Sequence, residues 1–247
     1  MADLSVVVPV YNEAGVIEDL IRDLERELVP LVGNLEVIVV DDASTDDTAR
    51  ILEQLARRLP WLDVQCADRN AGHGPSVIRG LDRASAEWIF QIDSDGQFDV
   101  ADFAQLWKRR DEFDLALGVR AQRRDPAHRL LLSRVVRLAT SLLAGRRIRD
   151  ANTPFRLLRR AVWSDLGPRM APDTLAPNIF VTVGAALRGW RTCEIPVTHL
   201  PRERGTSSLR AFRLLRFSLR GLMQLVAFRQ HLTHAPAPPE LVVGDGA

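Results

Sequence analysis

Lysine is almost missing from this 247-residue chain: of 33 Lys and Arg residues, Lys108 is the single Lys. Tyrosine occurs once, at Tyr11, and aromatic residues make up 6%. Cysteine occurs twice, at Cys66 and Cys193. Two Cys cannot form a disulfide framework, which excludes a small stapled secreted scaffold. Both lie in apolar, strand-like runs, so buried free thiols in a reducing cytosol are expected. No uncharged apolar run approaches the ~20 residues that span a bilayer. The longest candidate, 174–187, contains Pro177 and Asn178. The N-terminal MADLSVVVPVYNE has no basic n-region and no cleavage pattern, so no signal peptide is expected. Net charge is nearly absent too, at +1, but that value hides a division. Residues 1–118 carry 11 basic and 24 acidic side chains; residues 119–247 carry 22 basic and 8 acidic ones. Codon bias can explain Arg over Lys, but not this segregation, which points to two binding tasks. With 46% apolar and 26% charged residues, the chain has the composition of a folded globular domain.

The first half alternates apolar runs with helical patterns. Strands are expected at 4–8, 35–40, 62–66, 88–92 and 115–119, and helices at about 14–28, 44–58, 74–84 and 99–110. The run 36–40 is apolar after Glu36, as in a central parallel strand. This βαβ order predicts an α/β, mostly parallel sheet with helices on both faces. In the second half, helices are expected at 130–143, 175–187 and 207–232, and strands at 155–158 and 191–197. One domain over 1–232 accounts for the pattern. The Pro-rich tail 233–247 is expected to be disordered.

Ligands of parallel sheets bind at the carboxyl ends of the strands. Polar residues fall there four times in succession: Pro9, Tyr11, Asn12 and Glu13; Asp41 and Asp42; Asp68, Asn70, Gly72 and Gly74; Asp93, Asp95 and Gln97. Singly, each cluster reads as a cap or turn; jointly they read as a site. Asp93-Ser94-Asp95 sets two carboxylates two residues apart beyond an apolar strand. Such oxygens, with Gln97 as a third, suit Mg²⁺ or Mn²⁺ shared with a substrate's phosphates.

VVVPVYNE (6–13), VIVVDDASTDDT (37–48), NAGHG (70–74) and DSDGQ (93–97) resemble, in order and spacing, the family 2 glycosyltransferases of the GT-A fold. GVR (118–120), SR (133–134), DANTPFR (150–156) and EIPVTHLPRERGTSS (194–208) resemble its polyprenyl-phosphate branch, which includes dolichyl-phosphate mannose synthase. The resemblance implies a Rossmann-like sheet with a nucleotide-sugar half, 1–118, and an acceptor half, 119–232. Pro9, Tyr11, Asn12, Glu13, Asp42 and Asn70 would hold the nucleotide. Asp93, Asp95 and Gln97 would hold metal and diphosphate. Arg120 and Arg134 would meet the acceptor phosphate, and Arg202 and Ser207 would belong to a loop that closes over the donor. Asp93, Asp95 and Arg120 carry the catalytic roles. Two positions depart from the branch: Pro154 stands where Gly is usual, and Ser208 where the loop usually has Lys.

The implied reaction is an inverting, metal-dependent transfer from a GDP- or UDP-linked sugar to dolichyl or undecaprenyl phosphate. A phosphate acceptor, with a second pKa of about 6, needs little proton abstraction, which fits the lack of an obvious catalytic His. His73 and His199 are each open to two readings, a ligand contact or, by preference, a turn or packing residue. From 207 to 232 there is no acidic residue, and Arg210, Arg213, Arg216 and Arg220 share one helix face. Phe212, Leu215, Leu219, Leu222 and Val226 form another face, the pattern of an amphipathic helix lying on an anionic membrane or packing on the sheet. A peripheral position on the cytosolic membrane face is therefore expected, with a small membrane protein as a conceivable partner. The rival readings are a soluble family 2 transferase with a sugar or protein acceptor, and a non-catalytic nucleotide-sugar-binding protein. Nucleic acid is excluded as partner: the basic helices lack interleaved aromatics, and the acidic half repels a polyanion.

Overall fold

The computed structural model describes residues 2–120, 127–200 and 211–233, with the side chains of 127–135, 211–219 and 233 outside the description. The elements run β1 (Leu4–Val10), α1 (Ile17–Leu28), β2 (Leu35–Asp41), α2 (Thr48–Ala56), β3 (Leu62–Cys66), α3 (His73–Arg83), β4 (Trp88–Gln91), α4 (Phe103–Lys108), β5 (Leu115–Arg120), α5 (Ala127–Ala144), β6 (Arg156–Arg159), α6 (Arg160–Leu166), α7 (Pro177–Leu187), β7 (Thr192–Val197) and α8 (Ala211–Thr233). The seven strands form one sheet in the order β3-β2-β1-β4-β6-β5-β7. All pairings are parallel except those of β6, which lies antiparallel between β4 and β5.

Alternation along the strands divides the core into two layers. Val6, Val8, Val37, Val39, Trp88 and Phe90 face one way, against Ile17, Leu20, Ile21 and Leu24 of α1, Leu52 of α2 and Phe103 of α4. Val7, Ile38, Val40, Ile89, Leu115 and Leu158 face the other, against α3, α6, α7 and α8. Every residue of β1 is buried, as expected for the central strand of a three-layer α/β/α domain.

Five details differ from the sequence reading. Residues 99–110 form a 3₁₀ turn, Val100–Asp102, and then α4; Asp99 caps the turn by accepting from Ala101 N at 3.0 Å. α2 begins at Thr48 rather than at Ser44 or Thr45, because those two residues bond across to Asn12. α6 was not foreseen; seven residues are too few to show a helical period. Cys66 is exposed and Cys193 half-buried, not both buried, since each lies on an edge strand of the sheet. In α8, the packed residues are Leu225, Phe228 and Leu232, with the Phe228 ring 5.2 Å from that of Phe180; Leu222 and Val226, assigned to the apolar face, are each 42% exposed. The onset of that helix at 207–210 and the tail after 233 lie outside the described residues.

Candidate active site

β1 is flanked by β2 on one side and β4 on the other, so the chain's winding reverses there. Reversal opens a crevice at the carboxyl ends of the strands. Ser94 Oγ donates to Pro9 O across it at 3.1 Å, which fixes the Asp93-Ser94-Asp95 turn to the end of β1. Because β6 runs antiparallel, its first residue, Arg156, reaches the same edge and pairs with Gln91 of β4 and Leu117 of β5. β5 ends there with Arg120.

On the β1–β2 side the loops hold one another. Asn12 adopts a left-handed φ of 56°, a conformation Asn tolerates because its side chain bonds locally. Its Oδ1 accepts from Thr45 N at 2.7 Å, and its own N–H donates to Ser44 Oγ at 2.9 Å. Glu13 N donates to Thr48 Oγ1 at 2.9 Å, and Ala14 N to Asp46 Oδ2 at 3.2 Å. Asp42 is buried, and its two oxygens accept from Ala71 N at 2.8 Å and Gly72 N at 2.7 Å, tying β2 to the Gly-rich loop. The carboxylate thus has a structural task beside the nucleotide role assigned to it. Tyr11 is 45% exposed at the rim, and Asn70 is exposed as well.

Asp93 sits at the floor. Its side chain is 29% accessible, yet Oδ1 is sealed from solvent and makes no hydrogen bond. Burial pushes its carboxyl pKa up and Asp95 adds to the rise; His73, Arg120 and Arg156 oppose it. His73 Nε2 lies 3.7 Å from that oxygen, so the histidine read as a turn residue faces the site. It does so because α3 begins at His73, after Gly72 turns the chain with φ +97°. His199 does pack, its ring 5.4 Å from that of Phe98. Asp95 Oδ1 accepts from Gln97 N at 3.2 Å, which keeps the second carboxylate beside the first. Among the described residues no group of three or more His, Cys, Asp and Glu side chains forms a metal cage. An unpartnered buried carboxylate oxygen with a second carboxylate two residues on fits a divalent ion that takes its remaining ligands from a diphosphate and water.

On the β5 side, Arg120 Nε lies 3.4 Å from Asp150 Oδ2, and the guanidinium stands 5.7 Å from the centre of the Phe98 ring. Arg156 is 1% exposed and was given no role by the sequence. It donates to the carbonyls of Ala151, Thr153 and Asn178 at 3.2, 2.5 and 2.9 Å. Burial brings its pKa down to about 9, with Asp150 and Asp93 acting against the fall. A buried Arg is rare unless fully paired; its only sequence signal was the otherwise unexplained Phe155-Arg156 of the DANTPFR stretch. Gly74 of α3 meets the loop before α7 so closely that a Cβ there would stand 2.1 Å from Thr174 O. The edge therefore collects Pro9, Tyr11, Asn12, Glu13, Asp42, Asn70, Asp93, Asp95, Gln97 and Arg120. Arg202 and Ser207 lie outside the described residues, as does the side chain of Arg134.

A family model described as Glycosyl transferase family 2 matches residues 5–167. The chain belongs to that family. It is similar to the undecaprenyl-phosphate 4-deoxy-4-formamido-L-arabinose transferase of Pseudomonas aeruginosa, 31% identical over 214 residues, covering 86% of this chain and 62% of that protein. This chain thus spans less than two thirds of the length of the curated relatives it matches first. Among solved structures, a mannosyltransferase from Pyrobaculum calidifontis in complex with GDP-Man and Mn²⁺ superposes with a TM-score of 0.63 at 23% identity. That match covers 96% of this chain and 66% of the other. Glucosyl-3-phosphoglycerate synthase from Mycobacterium tuberculosis, with Mn²⁺, UDP and phosphoglyceric acid, gives 0.62 at 19% identity, covering 95% and 80%. The three-layer fold is that of the GT-A glycosyltransferases.

Proposed function

We propose that this protein transfers a sugar from a GDP- or UDP-linked donor to a polyprenyl phosphate, with inversion at the anomeric carbon. The observation that carries the reading is one edge of one sheet: the Asp93 carboxylate, one oxygen of which makes no hydrogen bond, lies with Asp95 at the same edge as the guanidinium of Arg120. Acidic groups serve a donor diphosphate through a cation, and a basic group serves an acceptor phosphate directly. Likeness to an undecaprenyl-phosphate transferase supports the acceptor class, and structural likeness to proteins holding GDP-Man or UDP with Mn²⁺ supports the donor class.

Asp93 and Asp95, with Gln97 beside them, are the residues that would hold Mg²⁺ or Mn²⁺. Bound there, the ion supplies Lewis-acid stabilisation of the departing diphosphate. Tyr11, the one tyrosine, offers an exposed ring at the crevice rim for the donor base to stack upon. Asn12, Glu13, Asp42 and Asn70 line the loops around it. Arg120 orients the incoming phosphate and offsets the charge that gathers as it approaches the donor. The acceptor oxygen is already ionised near neutral pH, so no side chain has to remove a proton. Positioning of two bound substrates then accounts for the acceleration.

The reading extends to a membrane surface. No described helix is long and apolar enough to cross a bilayer. α5 and α8 both pack on α7. They leave Leu138 (63%), Leu142 (70%) and Met223 (66%) exposed, a set that supports docking on a lipid surface, which the reading takes to be the cytosolic face.

One experiment tests the whole reading. A thermal-shift panel of nucleotide sugars with Mn²⁺ identifies the donor by the one that raises the midpoint. Transfer from that donor to undecaprenyl phosphate in anionic vesicles should then give a lipid-linked sugar. Donor binding accompanied only by hydrolysis, or by transfer to free sugars, would overturn the lipid acceptor.

A further inference from the structure

We propose that Asp150 and Arg156 are positioning residues that together set the guanidinium of Arg120. The proposal rests on the reading of Arg120 as the group that meets the acceptor phosphate. It concerns the loop from Asp150 to Phe155, between α5 and β6, which none of the roles above uses.

That loop is held from every side. Arg156 lies behind it, buried, and its guanidinium spreads over Ala151 O, Thr153 O and Asn178 O. Arg156 Nε adds a second bond to Thr153 O at 2.9 Å. Thr182 of α7 donates to Ala151 O at 3.0 Å, so α7 and Arg156 grip the same carbonyl. At the far end, Phe155 O accepts from Gly118 N at 2.8 Å, and the Phe155 ring sits 4.8 Å from Phe90 and 5.5 Å from Phe98. Gly118 is required for this approach: a Cβ would come within 2.9 Å of Phe155 O.

Asp150 therefore sits on a loop anchored at Arg149, Ala151, Thr153 and Phe155. Asp150 is 7% exposed, and Arg120 reaches to it with Nε at 3.4 Å. A long Arg side chain on a strand end would otherwise sample several rotamers, and ordering it costs entropy. Here the ordering is prepaid by the loop. The planar fork of Arg lies with its Nε 3.4 Å from a buried carboxylate, an ion pair without a hydrogen bond, and with its centre 5.7 Å from that of the Phe98 ring. Among the described residues nothing hydrogen-bonds its terminal nitrogens, the atoms the proposal gives to a phosphate. Arg156 uses its fork in a related way: Nε and Nη2 both reach Thr153 O, Nη2 also Ala151 O, and Nη1 Asn178 O, a spread over three nitrogens that the single nitrogen of an ammonium lacks.

Direction distinguishes positioning from simple attraction. Asp150→Asn removes a negative charge beside Arg120, so attraction for an anionic acceptor rises while orientation is lost. The expected result is a kcat lower by about 10- to 100-fold with an acceptor KM unchanged or reduced. Arg156→Lys, which keeps the charge and loses the fork, should show the same split. Donor and Mn²⁺ binding should stay within about twofold in both, because the acidic loops are untouched. The effects of Asp150→Asn and Arg120→Lys should combine less than multiplicatively.

The test also has a readout that needs no turnover. The ¹⁵Nε resonance of Arg120, assigned by its loss in Arg120→Lys, should move or broaden in Asp150→Asn and in Arg156→Lys. An unmoved resonance, or native kcat in Asp150→Asn, overturns the proposal. Should Arg156→Lys fail to fold, Asp150→Asn decides alone. If Arg120→Ala leaves the acceptor KM and kcat unchanged, the acceptor reading of the site fails, whereas the resonance still judges the clamp.

Discussion

The two sides of the crevice are built by opposite means. On the acidic side, loops after β1, β2 and β3 satisfy one another through bonds from loop to loop: Asn12 with Ser44 and Thr45, Asp42 with the amides of Ala71 and Gly72. Those side chains spend their hydrogen bonds on backbone, and among the described residues Asp93 Oδ1 is the buried carboxylate oxygen that has no hydrogen bond. On the basic side, a single buried guanidinium does comparable work by gathering carbonyls from β6's approach and from α7. The lesson is that charge segregation in the sequence marks two solutions to one problem. Carboxylates organise N–H groups, arginines organise C=O groups, and each leaves one charged group facing the crevice.

The largest expected effect comes from removing the donor-side charge. Asp95→Ala should lower transfer at least about 100-fold with an unchanged circular dichroism spectrum, as measured with the donor found by thermal shift. Full activity in that variant would break the comparison, because the acidic side would then have no chemical task. A smaller effect sharpens it. Burial raises the Asp93 pKa, so its ionisation is unfavourable in the metal-free fold. A carboxyl whose pKa is raised on folding favours the fold when protonated and loses that contribution as pH climbs through the raised value. Asp93→Asn should therefore melt higher than the native protein near neutral pH without metal, by roughly 2–4 °C per kcal/mol relieved. The gap should close below the ordinary carboxylate range. Melting curves across pH, with chelator present, would show a constant gap if the charge were already compensated.

The smallest effect concerns the sheet's two edges. Cys66 on β3 is exposed, whereas Cys193 on β7 is half-buried behind the segment after α5. There Arg146 Nη1 donates to Thr192 Oγ1 at 2.5 Å and Arg149 N to Glu194 Oε1 at 2.6 Å. Burial pushes the Cys193 thiol up to about 11. Mild alkylation near pH 8 should modify Cys66 first and Cys193 only on unfolding, as read by mass spectrometry. Equal rates would mean that the β7 edge is as open as the β3 edge.

Most of the sheet was legible because parallel strands buried on both faces announce themselves as β-branched runs, as at Val6–Val8 and Val37–Val40. The strand-end carboxylates were legible for a related reason: the pattern says where a strand stops, and ligands gather at that end. What stayed hidden was set by long-range contact. β6 is four residues long and starts on Arg156, so neither its orientation nor its place between β4 and β5 could be read from period or propensity. His73 looked like a turn residue until the start of α3 aimed it at Asp93. Arg156 received no role from the sequence, because nothing local reveals that Ala151, Thr153 and Asn178 will converge on it.

The placement of β6 also governs the order in which the molecule can assemble. Among the described residues β5 pairs with β6 and β7 alone, both of which follow it in the chain. A nascent chain that has reached Arg120 therefore carries β4 with one open edge and β5 with no neighbour at all. Such edges recruit other chains when they wait too long. The sheet is continuous only with residues 156–159 between β4 and β5, so the donor side and the acceptor side share a strand that comes from the second half of the chain.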